Sequence, residues 1–401
     1  MVFSNVQTWK QLPGKPTVTV SPVGIAQGFI KNGGSDYGPD TPGTTTSGIQ
    51  EAINSLGDDT SYYLNNGGEV FLNYVAGVYT VSQPISSVGQ FISIRGAPGA
   101  ILQYSGTGAC LTMDQSAAQS DTDPLYMGRP LIQGLGINLT GSGSSGSPVI
   151  GLKLVGIQNH VTFERVVVWS TNQAYQEGIH VEGYCQSPTF INSFVRLYGA
   201  TNSYNWRFVS GTTGNVQQPQ IIGGASMAGD VGVSLEEATT ANIMGMLIQG
   251  NTVGLQWESP LNDVHSFRSV WFENNTTETL ALSTMPAVFD GCHFTDTNGI
   301  STATRSLMIT KDCFGIAPEP ASSITVGTSP FTYTNTRLQP VMVVVSGGTV
   351  TGVSIKRGSS SFSVGSGDQI VTLAGAWGGS LVGDSVTVTY TSAPTMELFP
   401  M

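Results

Sequence analysis

Ionisable side chains recur at matching positions of a short motif that is repeated along the middle of the chain. In each copy the second and fourth residues are apolar, so they are predicted to point inward from a strand, while the third residue and the one after the motif point outward. Only 10% of the chain is charged, so these positions concentrate charge on one face. The polar side chains at the outward positions include Lys153, His180, Glu182, Arg207, Ser234, Glu236, Gln256 and Glu258.

The carboxylates on this face have the spacing of an acid/base pair. Successive coils of a stacked fold lie roughly 4.8 Å apart, so Glu236 and Glu258 are predicted to be lateral neighbours, a separation that suits a retaining glycosidase. The pair of Glu182 and Glu236, two coils apart, suits an inverting enzyme. Asp263, on the loop after Glu258, is predicted to reach the same groove. Four further side chains are predicted to bind substrate: His180, Arg207, Lys153 and Gln256.

A polar outward column also has explanations without chemistry. A solvated surface or a trimer interface would show the same pattern, and a glycan-binding face needs no cleavage. The nearby aromatic residues do not decide between these readings, because Trp206 and Trp257 fall in the inward register and are predicted to belong to the core. The sequence therefore leaves catalysis, binding and plain surface open for this face.

The repeat that carries these residues predicts a parallel β-helix. Its six copies start 27, 27, 27, 22 and 25 residues apart. Two further strand signals follow most copies, so each coil would contain three short strands and three bends. A single coil cannot bury its apolar side, so the coils must stack. The copies lie at 151–154, 178–181, 205–208, 232–235, 254–257 and 279–282, and a seventh is predicted at 306–309.

A short amphipathic α-helix is predicted at 48–56, before the first coil. Ser47 with Gln50 fits a capping box, and Gly57 fits the stop signal. The end of a β-helix exposes unpaired backbone groups and needs a cover. We therefore expect this helix to cap the N-terminal end of the coils.

Four stretches near the start of the coils form a recognisable opening: Asp-Tyr-Gly at 36–38, Ile-Gln-x-Ala-Ile at 49–53, Gly-Gly-Glu-Val-Phe-Leu at 67–72 and Gly-x-Tyr at 77–79. This opening resembles that of the pectate-lyase-like right-handed β-helix superfamily, in particular its phage tailspike and tail-fibre members. Asn73 stands where many members have proline, and Pro39 where alanine is usual. The resemblance implies a right-handed β-helix, often a homotrimer, that binds or acts on a polysaccharide. The opening marks the fold, so it identifies no catalytic residue here.

Three regions follow from these patterns. Residues 1–33 are predicted to be a leader that attaches to other virion proteins, and 34–315 to be the β-helix domain. In 316–401, alternating strands separated by glycine-rich turns predict a small antiparallel β-sandwich. The predicted fold class is thus all-β, with one short capping helix.

Composition and charge exclude several classes of protein. The net charge of −11 argues against a nucleic-acid partner, and no stretch is apolar enough to insert into a membrane. The N-terminus lacks the pattern of a signal peptide. The four cysteines, Cys110, Cys185, Cys292 and Cys313, contain no CxxC pair, so they predict buried thiols rather than a zinc site or disulfides. No metal or cofactor is predicted.

The favoured function is a viral, phage-like tailspike or receptor-binding fibre on the virion or outside the cell. It would bind, with or without cleavage, a polysaccharide of the host surface, and would be a homotrimer. A secreted polysaccharide lyase or glycoside hydrolase is one alternative, although it would need an export signal. A non-catalytic structural protein of a virion or appendage is the other.

Overall fold

Strands with a two-residue alternation of buried and exposed side chains make up most of the molecule. The computed structural model describes residues 17–24, 35–57, 68–73, 78–89, 92–116, 131–157, 161–171, 173–212, 214–258, 263–295, 299–316, 320–337, 339–375 and 383–401. Within these ranges three parallel sheets of 11, 9 and 8 strands, here called sheets A, B and C, wind around one core. The chain passes from A to B to C in each coil, as a right-handed parallel β-helix.

Sheet A contains Thr17–Val20, Glu69–Leu72, Ser93–Gly96, Leu131–Gln133, Thr162–Glu164, Thr189–Ile191, Gln220–Ile222, Asn242–Met244, His265–Arg268, Ala287–Asp290 and Met308–Lys311. Sheet B contains Tyr79–Val81, Ile101–Tyr104, Gly136–Leu139, Val167–Thr171, Phe194–Tyr198, Ala225–Met227, Leu247–Gln249, Trp271–Glu273 and His293–Phe294. Sheet C contains Ile85–Val88, Ala109–Asp114, Val149–Val155, Gln176–Glu182, Tyr204–Val209, Val231–Leu235, Val253–Trp257 and Thr277–Ala281.

The motif copies lie in sheet C, and their apolar positions point inward as predicted. Leu152 and Leu154 are fully buried, and so are Trp206 and Trp257 in later coils. The glycine that begins four of the copies is required by close packing. A Cβ at Gly178, for example, would lie 2.2 Å from a methyl carbon of Val195 in sheet B.

Two details of the predicted repeat are wrong. The sixth copy is shifted by one residue: Thr279 is buried and lies opposite Leu255, whereas Leu282 is 44% exposed. A one-residue shift turns every side chain of a strand to the other face, so Leu280, not Ala281, continues the outward column. The residues of the predicted seventh copy do not form a sheet C strand. Ser306 ends a short helix, Thr302–Ser306, and Met308 begins a strand of sheet A. This helix is capped by Ser301, which accepts a hydrogen bond from the Thr304 amide at 3.0 Å.

The first helix, Ile49–Gly57, lies where the sequence predicts it and ends at the predicted glycine. Its apolar face packs into the core of the first coils. The predicted cap is wrong, however. Ser47 has a positive φ of 54° and donates its hydroxyl hydrogen bond to the Thr80 carbonyl, so Thr46 Oγ1 instead accepts from the Gln50 amide at 3.1 Å.

The C-terminal strands form two antiparallel four-stranded sheets around a second, separate core. This is the small β-sandwich that the alternating pattern predicts. One sheet contains Ser322–Ile324, Thr395–Pro400, Val341–Ser346 and Gln369–Leu373, and the other contains Phe331–Thr334, Ser385–Ser392, Thr349–Arg357 and Ser360–Gly365. The domain boundaries at 33/34 and 315/316 stay a prediction.

Candidate functional site

The outer face of sheet C carries the predicted polar column in continuous register. Parallel pairing places Lys153 beside His180, His180 beside Arg207, Arg207 beside Ser234 and Ser234 beside Gln256. Five successive coils therefore present one polar side chain each. At roughly 4.8 Å per coil, the column extends for roughly 19 Å.

Ion pairs join the first half of this column. The Lys153 ammonium lies 2.9 Å from Glu182 Oε1, and the second carboxylate oxygen of Glu182 lies 3.0 Å from His180 Nε2. The other ring nitrogen of His180, Nδ1, contacts Glu177. The imidazole is thus held between two carboxylates, and its side chain is only 8% exposed.

Arg207 joins the two halves. Its Nη1 donates to Glu177 Oε1 at 2.7 Å, while its Nε and Nη2 donate to the two oxygens of Glu236 at 3.3 and 3.1 Å. The guanidinium also stacks on the ring of Tyr204, 4.4 Å from the ring centre. Such a bidentate, stacked geometry is available to arginine and not to lysine.

The column continues through hydrogen bonds that are donated by uncharged side chains. Ser234 Oγ donates to Glu236 Oε1 at 2.7 Å, and Gln256 Nε2 donates to Ser234 Oγ at 2.7 Å. The network from Lys153 to Gln256 is therefore unbroken, and it fixes the orientation of Glu236 from two sides.

The network shifts the pKa values of its members. Burial disfavours the charge on Glu177, but the hydrogen bond from His180 and the positive charges of His180 and Arg207 outweigh it, so its pKa is lowered. Burial likewise opposes protonation of His180, but its bonds to Glu177 and Glu182 raise its pKa. The hydrogen bond from His180, helped by Lys153, lowers the pKa of Glu182 to about 2. At neutral pH these carboxylates are ionised.

A groove of about 430 Å³ lies over the middle of the network. Glu236 and Glu258 both line it. They lie on successive coils, because the residues directly before them, Leu235 and Trp257, are paired in sheet C. Among the described residues no ion pair holds the Glu258 carboxylate. The groove is lined by His180, Arg207, Val209, Ser210, Glu236, Glu237 and Glu258.

The other predicted site residues lie around this groove. Lys153, Glu182 and Gln256 belong to the network but do not line the groove. Asp263 is half-buried and its charge acts on His265 instead. The structure thus brings together Glu236, Glu258, His180 and Arg207 around the groove, and Asp263 does not line it.

Glu177 is the important residue that the sequence analysis missed. It has the same parity in the strand as the buried Ile179 and Val181, so alternation alone would point it inward. The alternation breaks at Gly178, where the backbone packs too closely on Val195 for any side chain. Glu177 therefore contacts His180 and Arg207 on the outer face, although its side chain is only 3% exposed. The sequence signal that could have identified Glu177 is a charged residue directly before the motif glycine.

No cluster of three or more residues able to hold a metal ion occurs in the part of the chain that the structure describes. In the same residues no helix has the length and apolar character needed to cross a membrane.

Comparison with known proteins gives only distant structural similarities. No protein-family model matches the chain, and no curated protein matches it by sequence. The chain is similar to the A-module of mannuronan C-5 epimerase AlgE4 from Azotobacter vinelandii, with 15% identity, a TM-score of 0.31 and coverage of 68% of this chain and 91% of that one. It is also similar to ORF18 of Geobacillus virus E2, with 15% identity, a TM-score of 0.38 and coverage of 94% and 78%.

A third similar structure is the tailspike protein of Acinetobacter baumannii phage AM24, with 12% identity, a TM-score of 0.36 and coverage of 92% and 82%. At these identities and TM-scores the similarities decide nothing about activity. The fold assignment stands on the three parallel sheets of the chain itself.

Proposed function

We propose that this chain is a tailspike-type protein that binds a polysaccharide of a host surface along the outer face of sheet C. The observation that carries the proposal is the unbroken polar network from Lys153 to Gln256. A column of fixed hydrogen-bonding groups that is repeated from coil to coil matches a linear polymer with repeated hydroxyl groups.

The network suits sugars because its charges are already paired. Each of Lys153, His180 and Arg207 contacts a carboxylate, so the side chains are held in one orientation before a ligand arrives. Such preorganisation lowers the cost of ordering side chains on binding. The remaining donor and acceptor sites of these groups then bind sugar hydroxyls. An acidic sugar would interact with Arg207 from the solvent side, where its side chain is 27% exposed.

Cleavage of the bound glycan is the second candidate function, favoured by Glu236 and Glu258 on successive coils of one groove. Arg207 and Ser234 hold Glu236 as an acceptor, which suits a nucleophile or base. Glu258 is the candidate acid, because its carboxyl group forms no ion pair with another described residue. Glu182 fits an acid role poorly, since Lys153 and His180 keep it ionised.

Self-association into a homotrimer is part of the proposal, with sheet B as the contact face. In-register residues on its outer surface are apolar over consecutive coils, among them Val167, Phe194, Leu247 and the half-exposed Trp271. Such a continuous apolar strip favours burial against another surface. We expect that surface to belong to another copy of the same chain. Several weak glycan sites in one assembly raise the effective concentration for each further contact and so strengthen binding.

The test is a binding screen of the purified protein against a panel of bacterial surface polysaccharides. Glu258→Lys places a long side chain of opposite charge in the groove. It should abolish binding to whichever polysaccharide the wild type binds in the screen. Glu164→Lys makes the same change on the outer face of sheet A and should leave binding intact. Equal binding by all three proteins, or no binding by the wild type, would reject the sheet C site.

A further inference from the structure

Two of the four cysteines lie in equivalent positions of the last two coils. Asp290 pairs with Lys311 and His293 bridges to Phe314, so the register between these coils is the same on both sides of Cys292 and Cys313. The Phe314 amide donates to the Cys292 carbonyl at 2.9 Å, which continues the ladder through the pair. The two cysteines are therefore lateral neighbours.

Their thiols also point the same way. Cys292 Sγ lies 3.3 Å from the carbonyl oxygen of Phe267, and Cys313 Sγ lies 3.3 Å from that of Phe289. Phe267 and Phe289 are themselves paired in sheet A. Each thiol thus occupies the same place relative to the preceding coil, and one sulfur is stacked on the other.

We propose that Cys292 and Cys313 are a modification site, where a disulfide forms and joins the last coil to the one before it. In-register residues of parallel strands have Cα atoms roughly 4.8 Å apart, within the range of roughly 4.4–6.8 Å that disulfides span. Both thiols are free in this structure. Cys110 and Cys185 have no such neighbour in register among the described residues.

The reaction is thiol–disulfide exchange with a small-molecule disulfide such as glutathione disulfide. The Cys313 thiolate attacks one sulfur of that disulfide, forming a mixed disulfide and releasing one glutathione thiolate. The Cys292 thiolate then attacks Cys313 Sγ and releases the second. The two protons lost by the cysteines end on the two glutathione thiolates, so two cysteines are oxidised and one glutathione disulfide is reduced.

The environment assigns the order of the two steps. Cys313 is half-buried whereas Cys292 is fully buried, so the reagent reaches Cys313 first. The hydrogen bond from the Cys292 thiol lowers the pKa of Cys313 to about 7, which increases its thiolate fraction at neutral pH. The same interaction, together with burial, raises the pKa of Cys292.

The disulfide would act on the end of sheet A. Among the residues that the structure describes, the strand Met308–Lys311 is the last in that sheet and pairs on one side only. Edge strands of this kind separate more readily than central ones. A covalent link two residues after this strand would hold it to Ala287–Asp290.

The experiment treats the native full-length protein with glutathione disulfide, removes the reagent, and counts free thiols in denaturant. We expect the number to fall from four to two, with a loss of two hydrogen atoms in the intact mass and one cross-linked peptide containing Cys292 and Cys313. Cys185→Ala should lose the same two thiols, whereas Cys313→Ser should lose none.

Persistence of all four thiols would overturn the proposal. A stable glutathione adduct on Cys313 without the cross-link would also overturn it, as would a cross-link that forms only after denaturation. Because the peptide map is made on the wild type, the result does not depend on whether Cys313→Ser folds.

Discussion

Arg207 donates to both carboxylate oxygens of Glu236 on the next coil, at 3.3 and 3.1 Å, and to the buried Glu177 at 2.7 Å. The Arg207 guanidinium therefore holds in place two carboxylates that come from two different coils. Its loss would leave Glu177 with a single partner in a site that water scarcely reaches.

Arg207→Met should destabilise the protein by about 3 kcal/mol, because it leaves the buried carboxylate of Glu177 with His180 as its one remaining partner. Lys153→Met is the matched control. It also breaks an ion pair, but both partners are more than a quarter exposed, so the loss should stay below about 1 kcal/mol. Midpoints of urea unfolding measure both effects, and equal losses would show that Glu177 is not stabilised by Arg207.

Stability should depend on pH through His180. Its pKa is raised in the folded state, so its contribution is complete below the unfolded value of 6.5 and is lost as the pH rises through the folded pKa. Glu182 acts in the opposite sense: its contribution is complete above 4.5 and is lost as the pH falls toward about 2. Both contributions are present between about pH 4.5 and 6.5.

His180→Gln should therefore flatten the fall in urea midpoint above pH 6.5. His293→Gln, which removes a histidine from the outer face of sheet B, should keep that fall. A wild-type midpoint that stays constant from pH 6 to pH 9 would mean that folding does not raise the pKa of His180.

The apolar strip on sheet B makes a prediction about assembly. The wild type should elute with about three times the chain mass of 42.0 kDa, as measured by light scattering. Leu247→Glu places a charge in the strip and should shift the protein to the monomer. The change Gln220→Glu, which adds a charge to the outer face of sheet A, should not. A wild-type monomer at micromolar concentration would end the trimer proposal.

The chain's regular parts were predictable because local sequence decides them. Leu152 and Leu154 lie on either side of Lys153 and recur as apolar positions in the other copies, so their inward direction could be predicted without a structure. The one-residue shift at Thr279 could not be predicted in this way, because it depends on which side chain packs against Leu255 of the previous coil. The helix cap at Thr46 was missed for a similar reason, since Ser47 is held by Thr80 of sheet B.

The candidate site was predicted in part. Register between coils follows from the repeat, and it places His180, Arg207, Glu236 and Glu258 on one face. The role of Glu177 required knowledge of the close contact between Gly178 and Val195. Asp263 was assigned to the groove from a stretch of sequence without a periodic pattern, and such a stretch does not fix where a side chain lies.

If the groove cleaves its glycan, each of its two candidate catalytic carboxylates should be needed. Glu236→Gln and Glu258→Gln should each reduce release of new reducing ends by at least roughly a hundredfold, the scale of a lost acid or base, while the urea midpoint of Glu258→Gln stays unchanged. Glu237→Gln is the control on the same groove and should retain cleavage. Normal cleavage by both variants would leave sheet C as a binding face only.

The most direct test of the sheet C site is a structure of the protein with an oligosaccharide from the polysaccharide that it binds. We expect sugar density along the outer face of sheet C, with hydroxyl groups within hydrogen-bond distance of Arg207, Glu236 and Glu258. Density on sheet A, on sheet B or on the C-terminal sheets, with the groove over Glu258 empty, would contradict this account.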